Sequence, residues 1–177
     1  MTRAVRFSAV GALLAALSMP VGMPDTAGAQ EIQPGKPAPE IDLPRLQGGQ
    51  VKLSALRGYP VVLTFWGTWC PPCKVEFPEL VAAHRKYREA GLEVIAVNQR
   101  DQEIRTADVE AFVKQYKVEF IVAMDQRGKS RRSYRLIGLP TTVFIDATGI
   151  IRQVNSGPIP RSELARGLAA ILPRSSP

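Results

Sequence analysis

Two cysteines, Cys70 and Cys73, are the only ones in 177 residues, and they stand in the run Trp69-Cys70-Pro71-Pro72-Cys73. Two thiols cannot build a multi-bridge scaffold, and beside a single histidine, His84, they fall short of the four ligands of a structural zinc site. The chemistry left to them is mutual: a dithiol/disulfide pair, as against two buried thiols or a soft-metal clamp. The apolar run Val61 to Trp66 before them and helical spacing after them place the pair at a strand-to-helix junction, the setting of redox pairs. A sulfur at a helix N-cap faces unpaired N–H groups and the positive end of the helix dipole, both favouring thiolate. Cys70 is therefore the expected attacking sulfur, and Cys73, one turn inside, the shielded resolving one. Pro71 and Pro72 carry no N–H, so the Cys73 amide is the first donor available to the Cys70 sulfur. That scarcity of donors predicts a Cys70 pKa nearer about 7 than about 3.5.

Four further side chains are weighed beside this pair. Glu76 lies three residues past Cys73, close enough on the first helical turns to approach the sulfurs; the competing reading is an exposed helix glutamate. A carboxylate there would raise a thiol pKa by repulsion, and its own would rise if desolvated. Trp69 is expected to cover one edge of the site, with Trp66 packing on the sheet. His84 shares a helical stripe with Phe77 and Leu80, so core packing with a satisfied nitrogen is expected rather than catalysis.

The elements that must position these residues follow from periodicity and turn signals. Val61 to Trp66 is predicted to be the central strand, buried on both faces. Phe77, Leu80, Val81, His84 and Tyr87 mark a helix kinked at Pro78 and stopped near Gly91. Leu92 to Val97 and Phe120 to Met124 are predicted strands, separated by a helix with Val109, Phe112, Val113 and Tyr116 on one face. Thr141 to Ile145 and Ile150 to Asn155 form a hairpin around Asp146-Ala147-Thr148-Gly149, and Leu164, Leu168, Ile171 and Leu172 mark a closing amphipathic helix. Alternating strands and helices predict an α/β fold with parallel pairs. Before these elements, residues 30–39 read as an extended lead-in. Ile41 to Leu43 and Val51 to Leu53 read as a small hairpin about Gln47 to Gln50, an edge element outside the core.

Residues 1–29 read as a signal peptide: Arg3 and Arg6, an apolar stretch from Phe7 to Met19, and small residues Ala27-Gly28-Ala29. The alternative is an uncleaved anchor, although Pro20, Pro24 and Asp25 interrupt the apolar stretch short of the roughly 20 residues that span a bilayer. Export to the periplasm is expected, with a single domain over residues 40–177. The formal charge of +7 drops by one, to +6, once Arg3, Arg6 and Asp25 are removed. The basic residues are scattered apart from Lys129, Arg131, Arg132 and Arg135, which suits a solvated face better than an acidic docking partner. No nucleic-acid partner is expected outside the cytoplasm, and no dimer signal is visible.

The segment from Phe65 through Cys70-Pro71-Pro72-Cys73-Lys74-Val75-Glu76-Phe77 to Pro78 resembles the active-site segment of the TlpA/ResA/CcmG-like thiol-disulfide oxidoreductases, exported members of the thioredoxin superfamily. Gly35 to Pro39, Gly91 to Asn98 and Gly138 to Asp146 follow the same family's pattern in order, so the resemblance covers roughly Pro34 to Leu172. It implies a thioredoxin-like fold, a central mixed sheet flanked by helices, with an added N-terminal β-hairpin. It also implies a cis bond between Leu139 and Pro140 facing the cysteines, with Leu139 touching substrate and its backbone open to strand-like pairing. Thioredoxin carries a buried aspartate on the central strand where this chain has Thr64. In ResA-like members a glutamate at the place of Glu76 is associated with the active site, which implies a proton-transfer or pKa-tuning role toward Cys73.

The activity implied is reduction of protein disulfides through a mixed disulfide at Cys70, resolved by Cys73, with no cofactor. The implied substrate is the Cys-x-x-Cys-His segment of apocytochrome c, and the implied electron source a membrane donor of DsbD/CcdA type. The alternative within the class is reduction of copper-site assembly proteins of cytochrome oxidase; an alternative of another class is a Cu(I)-binding docking module. A general oxidant is disfavoured because the chain lacks a large helical insertion. A peroxidase is disfavoured because Leu63 and Gly67 stand where peroxiredoxins need Pro and Thr or Ser.

Overall fold

A computed structural model describes residue 1 and residues 32–173. The expected leader, apart from Met1, and the first residues of the lead-in lie outside the described residues. Among those described, no helix is long and apolar enough to cross a membrane.

Strand β3 (Val61–Trp66) is the organising element. Its β-branched and aromatic residues suit a pleated core position, and all are buried. Side chains alternate across a strand, so Val62 and Trp66 enter one core while Val61, Leu63 and Phe65 enter another. β4 (Glu93–Asn98) pairs with β3 in parallel and with β5 (Ile121–Met124) beyond it; β6 (Thr141–Ile145) pairs antiparallel on the other side and carries β7 (Ile151–Ser156). The order β5-β4-β3-β6-β7 is the mixed five-stranded sheet of the thioredoxin-like fold.

Helices α1 (Pro71–Tyr87), α2 (Thr106–Gln115) and α4 (Arg161–Ile171) supply the core on the Val62/Trp66 face. α1 runs on through Pro78, followed by a short 3-10 turn that ends where Gly91 adopts φ +85°, a conformation a side chain resists. Phe77 is its anchor: its ring centroid lies 4.6 Å from Trp66 and 4.8 Å from Phe112, pairs worth about 0.5–1.5 kcal/mol each beyond their burial.

The opposite face corrects the expectation for the N-terminal hairpin. β1 (Asp42–Pro44) and β2 (Gln50–Lys52) pair as predicted, but Ile41, Leu43, Val51 and Leu53 are all buried against Val61, Leu63 and Phe65. The hairpin is a second core layer, not an edge ornament. A strand apolar on both faces needs cover on both, and here the hairpin and lead-in provide it with Tyr134, whose hydroxyl donates to the Pro39 carbonyl at 2.6 Å. The lead-in is tied to β7 by Gly35 N–H to Ile151 O at 2.8 Å, and the hairpin to β5 by Leu46 N–H to Val122 O at 2.9 Å.

A short helix that periodicity does not predict, α3 (Lys129–Ser133), sits in the basic cluster. It has no apolar periodicity to announce it. The buried Asp125 carboxylate holds its start, accepting from Lys129 N–H at 2.9 Å and Ser130 N–H at 2.8 Å.

Candidate active site

Parallel pairing puts the C-terminal ends of β3 and β4 side by side, Trp66 opposite Asn98. Antiparallel pairing brings the start of β6 to the same end, Thr141 opposite Phe65. The loop carrying Cys70, the loop after Asn98 and the segment Gly138-Leu139-Pro140 therefore meet at one end of the sheet.

Cys70 is the N-cap of α1, in extended conformation, and is joined to Cys73 by a disulfide with S–S 2.04 Å. Prolines fill the first two helical positions, and the donor reaching the Cys70 sulfur is the Cys73 N–H, at 3.3 Å. Both sulfur residues are largely closed off in this oxidised form, Cys70 at 3% exposure and Cys73 at 1%. The difference in shielding expected between them is thus small while they are bonded. The Leu139-Pro140 bond is cis, Leu139 is half-buried against the core cluster that contains both cysteines, and Pro140 is buried.

Trp69 is 49% exposed and folds back over Gly67. A Cβ at Gly67 would lie 2.8 Å from the indole, so only glycine lets the ring take this place. Trp66 is fully buried between Phe77 and Phe112, as expected for a sheet-packing residue.

Glu76 is not the exposed glutamate of the competing reading: it is 3% exposed. Thr142 Oγ1 lies 2.6 Å from its Oε1 and 3.0 Å from Thr64 Oγ1, while Glu76 Oε2 is buried with no hydrogen-bond partner among the described residues. Burial raises the Glu76 pKa from 4.5 to about 7, the two threonine hydroxyls only partly offsetting it. Thr64, at the place of the aspartate in thioredoxin, is thus part of a hydroxyl pair that serves a carboxyl arriving from α1.

Two features went unread in the sequence. Glu103, just past β4, accepts from Thr68 N–H at 2.6 Å, from Thr68 Oγ1 at 2.5 Å and from Asn98 Nδ2 at 2.8 Å, and so pins the loop that carries Trp69 and Cys70. Nothing in its local sequence distinguishes it from a surface glutamate. Thr142 sits directly opposite Thr64, a juxtaposition that follows from the β3–β6 register and from nothing shorter in range. His84 departs from expectation: it is half-buried, edge-on to Phe120 at 5.7 Å, and its Nδ1 has no partner among the described residues. Burial lowers its pKa, favouring the neutral imidazole, against the nearby charges of Glu93 and Glu119. No cluster of three or more metal-ligating side chains occurs among the described residues.

A mixed sheet in this order, a Cys-Pro-Pro-Cys disulfide at the head of α1 and a cis-proline loop at the same end define a thioredoxin-like thiol-disulfide oxidoreductase. The chain is 37% identical over 144 residues to the thiol-disulfide oxidoreductase ResA of Bacillus thuringiensis subsp. konkukian (strain 97-27), covering 81% of this chain and 82% of that one. It is 37% identical over 136 residues to ResA of Bacillus subtilis (strain 168), covering 77% and 74%. A crystal structure from Chlorobium tepidum, assigned as a thiol:disulfide interchange protein DsbE, superposes with TM-score 0.71 at 36% identity, covering 78% of this chain and 96% of that one. The model of the AhpC/TSA family matches residues 34–154, and the chain belongs to that family, as a thiol-disulfide oxidoreductase of the ResA/DsbE type.

Proposed function

We propose that this chain is an exported reductant of protein disulfides that acts in cytochrome c maturation, with residues 1–29 as leader, 30–39 as lead-in and 40–177 as the working domain. The observation that carries the proposal is a disulfide at the head of α1, with a buried carboxyl, Glu76, one turn past Cys73 on the same helix and a half-exposed Trp69 next to Cys70 in the chain. The carboxyl suits proton handling and the indole suits a polypeptide.

In the reduced protein the Cys70 thiolate, favoured by the α1 N-terminus, attacks one sulfur of a substrate disulfide. The substrate bond breaks, a Cys70–substrate disulfide forms, and the leaving substrate thiolate takes a proton. Glu76, with a pKa of about 7, accepts the Cys73 proton at neutral pH. The Cys73 thiolate then attacks the Cys70 sulfur and releases the second substrate thiolate, which is protonated in turn. Two electrons and two protons have passed to the substrate, and the protein is left with its own disulfide. A membrane dithiol donor of DsbD/CcdA type restores the dithiol. Leu139 and Pro140 hold the substrate segment and Trp69 covers its edge. An apocytochrome c Cys-x-x-Cys-His segment presents such a disulfide.

The test is a Cys73→Ala variant of the full chain expressed in its own host. Without the resolving thiol the mixed disulfide on Cys70 persists, and mass spectrometry identifies what is attached. Apocytochrome c on the trap supports the proposal. Copper-site assembly proteins in its place would redirect it, and an empty trap beside a tightly copper-binding protein would overturn it.

A further inference from the structure

The run from Gln126 to Pro140 carries five cations, Arg127, Lys129, Arg131, Arg132 and Arg135, and no carboxylate. Its sequence suits a solvated face, but the fold gives it a particular place. The run passes through α3 into the loop that holds the cis bond before Pro140. Arg131 lines a cleft together with Trp69 and Leu139, and Arg135 lines a hollow with Ile137 and Thr141. The cations therefore border the end of the sheet where the cysteine pair lies.

Arg127, Lys129, Arg132 and Arg135 are exposed, and none of them forms an ion pair among the described residues. Elsewhere Arg85, Arg105, Arg152, Arg161 and Arg166 each meet a carboxylate. The acids near the cluster are already engaged: Asp125 is buried under the first turn of α3, Asp42 pairs with Lys52, and Asp101 lies 3.1 Å from Arg131. A Cβ built on Gly128 would lie 3.4 Å from a guanidinium nitrogen of Arg131, 3.4 Å from one of Arg132 and 2.9 Å from Asp101 Oδ2. Two guanidinium groups thus crowd a single acid, leaving a positive potential that an incoming anion relieves. Arg135 adds a conformational cost. It follows α3 at φ +45°, with Leu136 N–H donating to Arg131 O at 3.0 Å, the place in a helix C-terminus where glycine is favoured. A cation stands there in place of the residue that would fit with least strain.

We propose that Lys129, Arg132 and Arg135 form a docking surface for an acidic segment of the protein that exchanges electrons with the cysteine pair. Their position favours a protein over an anionic lipid surface. A bilayer lying on cations beside Trp69 and Leu139 would cover the exchange site, whereas a protein partner has to reach that site in any case. Exposed cations of this kind act chiefly on the association rate, and salt screens their effect.

The inference rests on the reading of the chain as a reductant of protein disulfides, and one experiment separates the two. The reduced full chain is mixed with disulfide-linked peptides that differ only in the residues flanking the cystine, all Glu, all Gln or all Lys. Second-order rates are followed by tryptophan fluorescence at low and high ionic strength. The Glu peptide is expected to react about tenfold faster than the Gln peptide at low salt, the ratio falling toward one in about 0.5 M salt. Arg132→Gln/Arg135→Gln should cut the low-salt ratio about threefold. Lys86→Gln/Arg88→Gln makes the same charge change at the far end of α1 from Cys70 and should leave the ratio nearly unchanged. Arg135→Gly removes the cation and relieves its left-handed conformation, so it should slow the Glu peptide yet unfold at no lower urea concentration than wild type. A wild-type ratio near one at low salt would overturn the docking surface without any variant and leave the reductant standing. Equal ratios in the two double variants would overturn it too, as would a patch variant that loses binding to phosphatidylglycerol vesicles but keeps the full ratio. Failure to reduce any peptide removes both readings.

Discussion

Two groups of side chains, an inner one buried around Glu76 and an outer one exposed with Trp69, invert the usual partition in opposite ways. Inward, a carboxyl group and two threonine hydroxyls lie in the dry core: Glu76 is 3% exposed, Thr64 1% and Thr142 0%. Outward, apolar residues stand in water, Trp69 at 49%, Val75 at 73% and Ile137 at 91%. Burying a carboxyl with an idle oxygen destabilises the fold, while leaving isoleucine exposed merely forgoes a gain. Changes on the inner side should therefore register in stability and its pH dependence, and changes on the outer side in exchange rates.

The largest expected effect belongs to Glu76→Gln in the oxidised protein, where the cysteines do not titrate. Below pH 4.5 the carboxyl is protonated whether the chain is folded or not. Between pH 4.5 and about 7 the unfolded chain releases this proton and the folded one keeps it, so stability falls as pH rises through that window. The total loss is about 3 kcal/mol, reached above pH 7. Glu76→Gln keeps the bond from Thr142 and removes the ionisation, so denaturant unfolding should find it more stable than wild type at pH 8 and similar at pH 4. Parallel pH profiles for the two proteins would break the contrast at its inner side.

Glu103→Ala comes next. It leaves the Thr68 N–H, the Thr68 hydroxyl and the Asn98 amide without their acceptor, and a loss of about 2 kcal/mol is expected in urea unfolding. Because Thr68 leads into Trp69, the same variant should blue- or red-shift indole emission, which a substitution far from the loop would not do. Gly67→Ala probes the loop more gently. Its Cβ meets the indole at 2.8 Å, but the ring is half-exposed and free to swing outward, so stability should drop by under about 1 kcal/mol while exchange with protein substrates slows several-fold.

How far this contrast was legible in the sequence depended on range. The Cys-Pro-Pro-Cys run, the N-cap role of Cys70 and the largely apolar β3 are local patterns, and the structure reproduces them within a residue or two. The cis bond before Pro140 came with the family resemblance and not from any spacing. What spacing could not supply was register. Thr142 becomes Glu76's partner only once β6 lies antiparallel to β3, and Glu103 joins Thr68 across 35 residues. The hairpin's three-residue strands carry no local sign of a second layer; that role is set by the two-sided apolar β3 it covers. α3 has no apolar stripe of its own, and the group that holds its start, Asp125, precedes it by four residues.

The smallest structural effect is expected from Ile137→Ser, and it tests the outer side most cleanly. At 91% exposure the side chain has almost no folded-state contact to lose, so unfolding should stay within about 0.5 kcal/mol of wild type. A docked polypeptide would cover that surface, and covering part of an isoleucine is worth about 1 kcal/mol, equivalent to about a fivefold change in kcat/KM. A small aromatic disulfide covers less of it. The variant should therefore slow reduction of a protein disulfide more than reduction of the small one. If both rates fall together, the loss lies in the exchange chemistry and Ile137 acts on the cysteine pair; if neither falls, the exposed apolar rim contributes nothing to docking. Only the unequal result assigns the outer side to recognition while the inner side sets protonation.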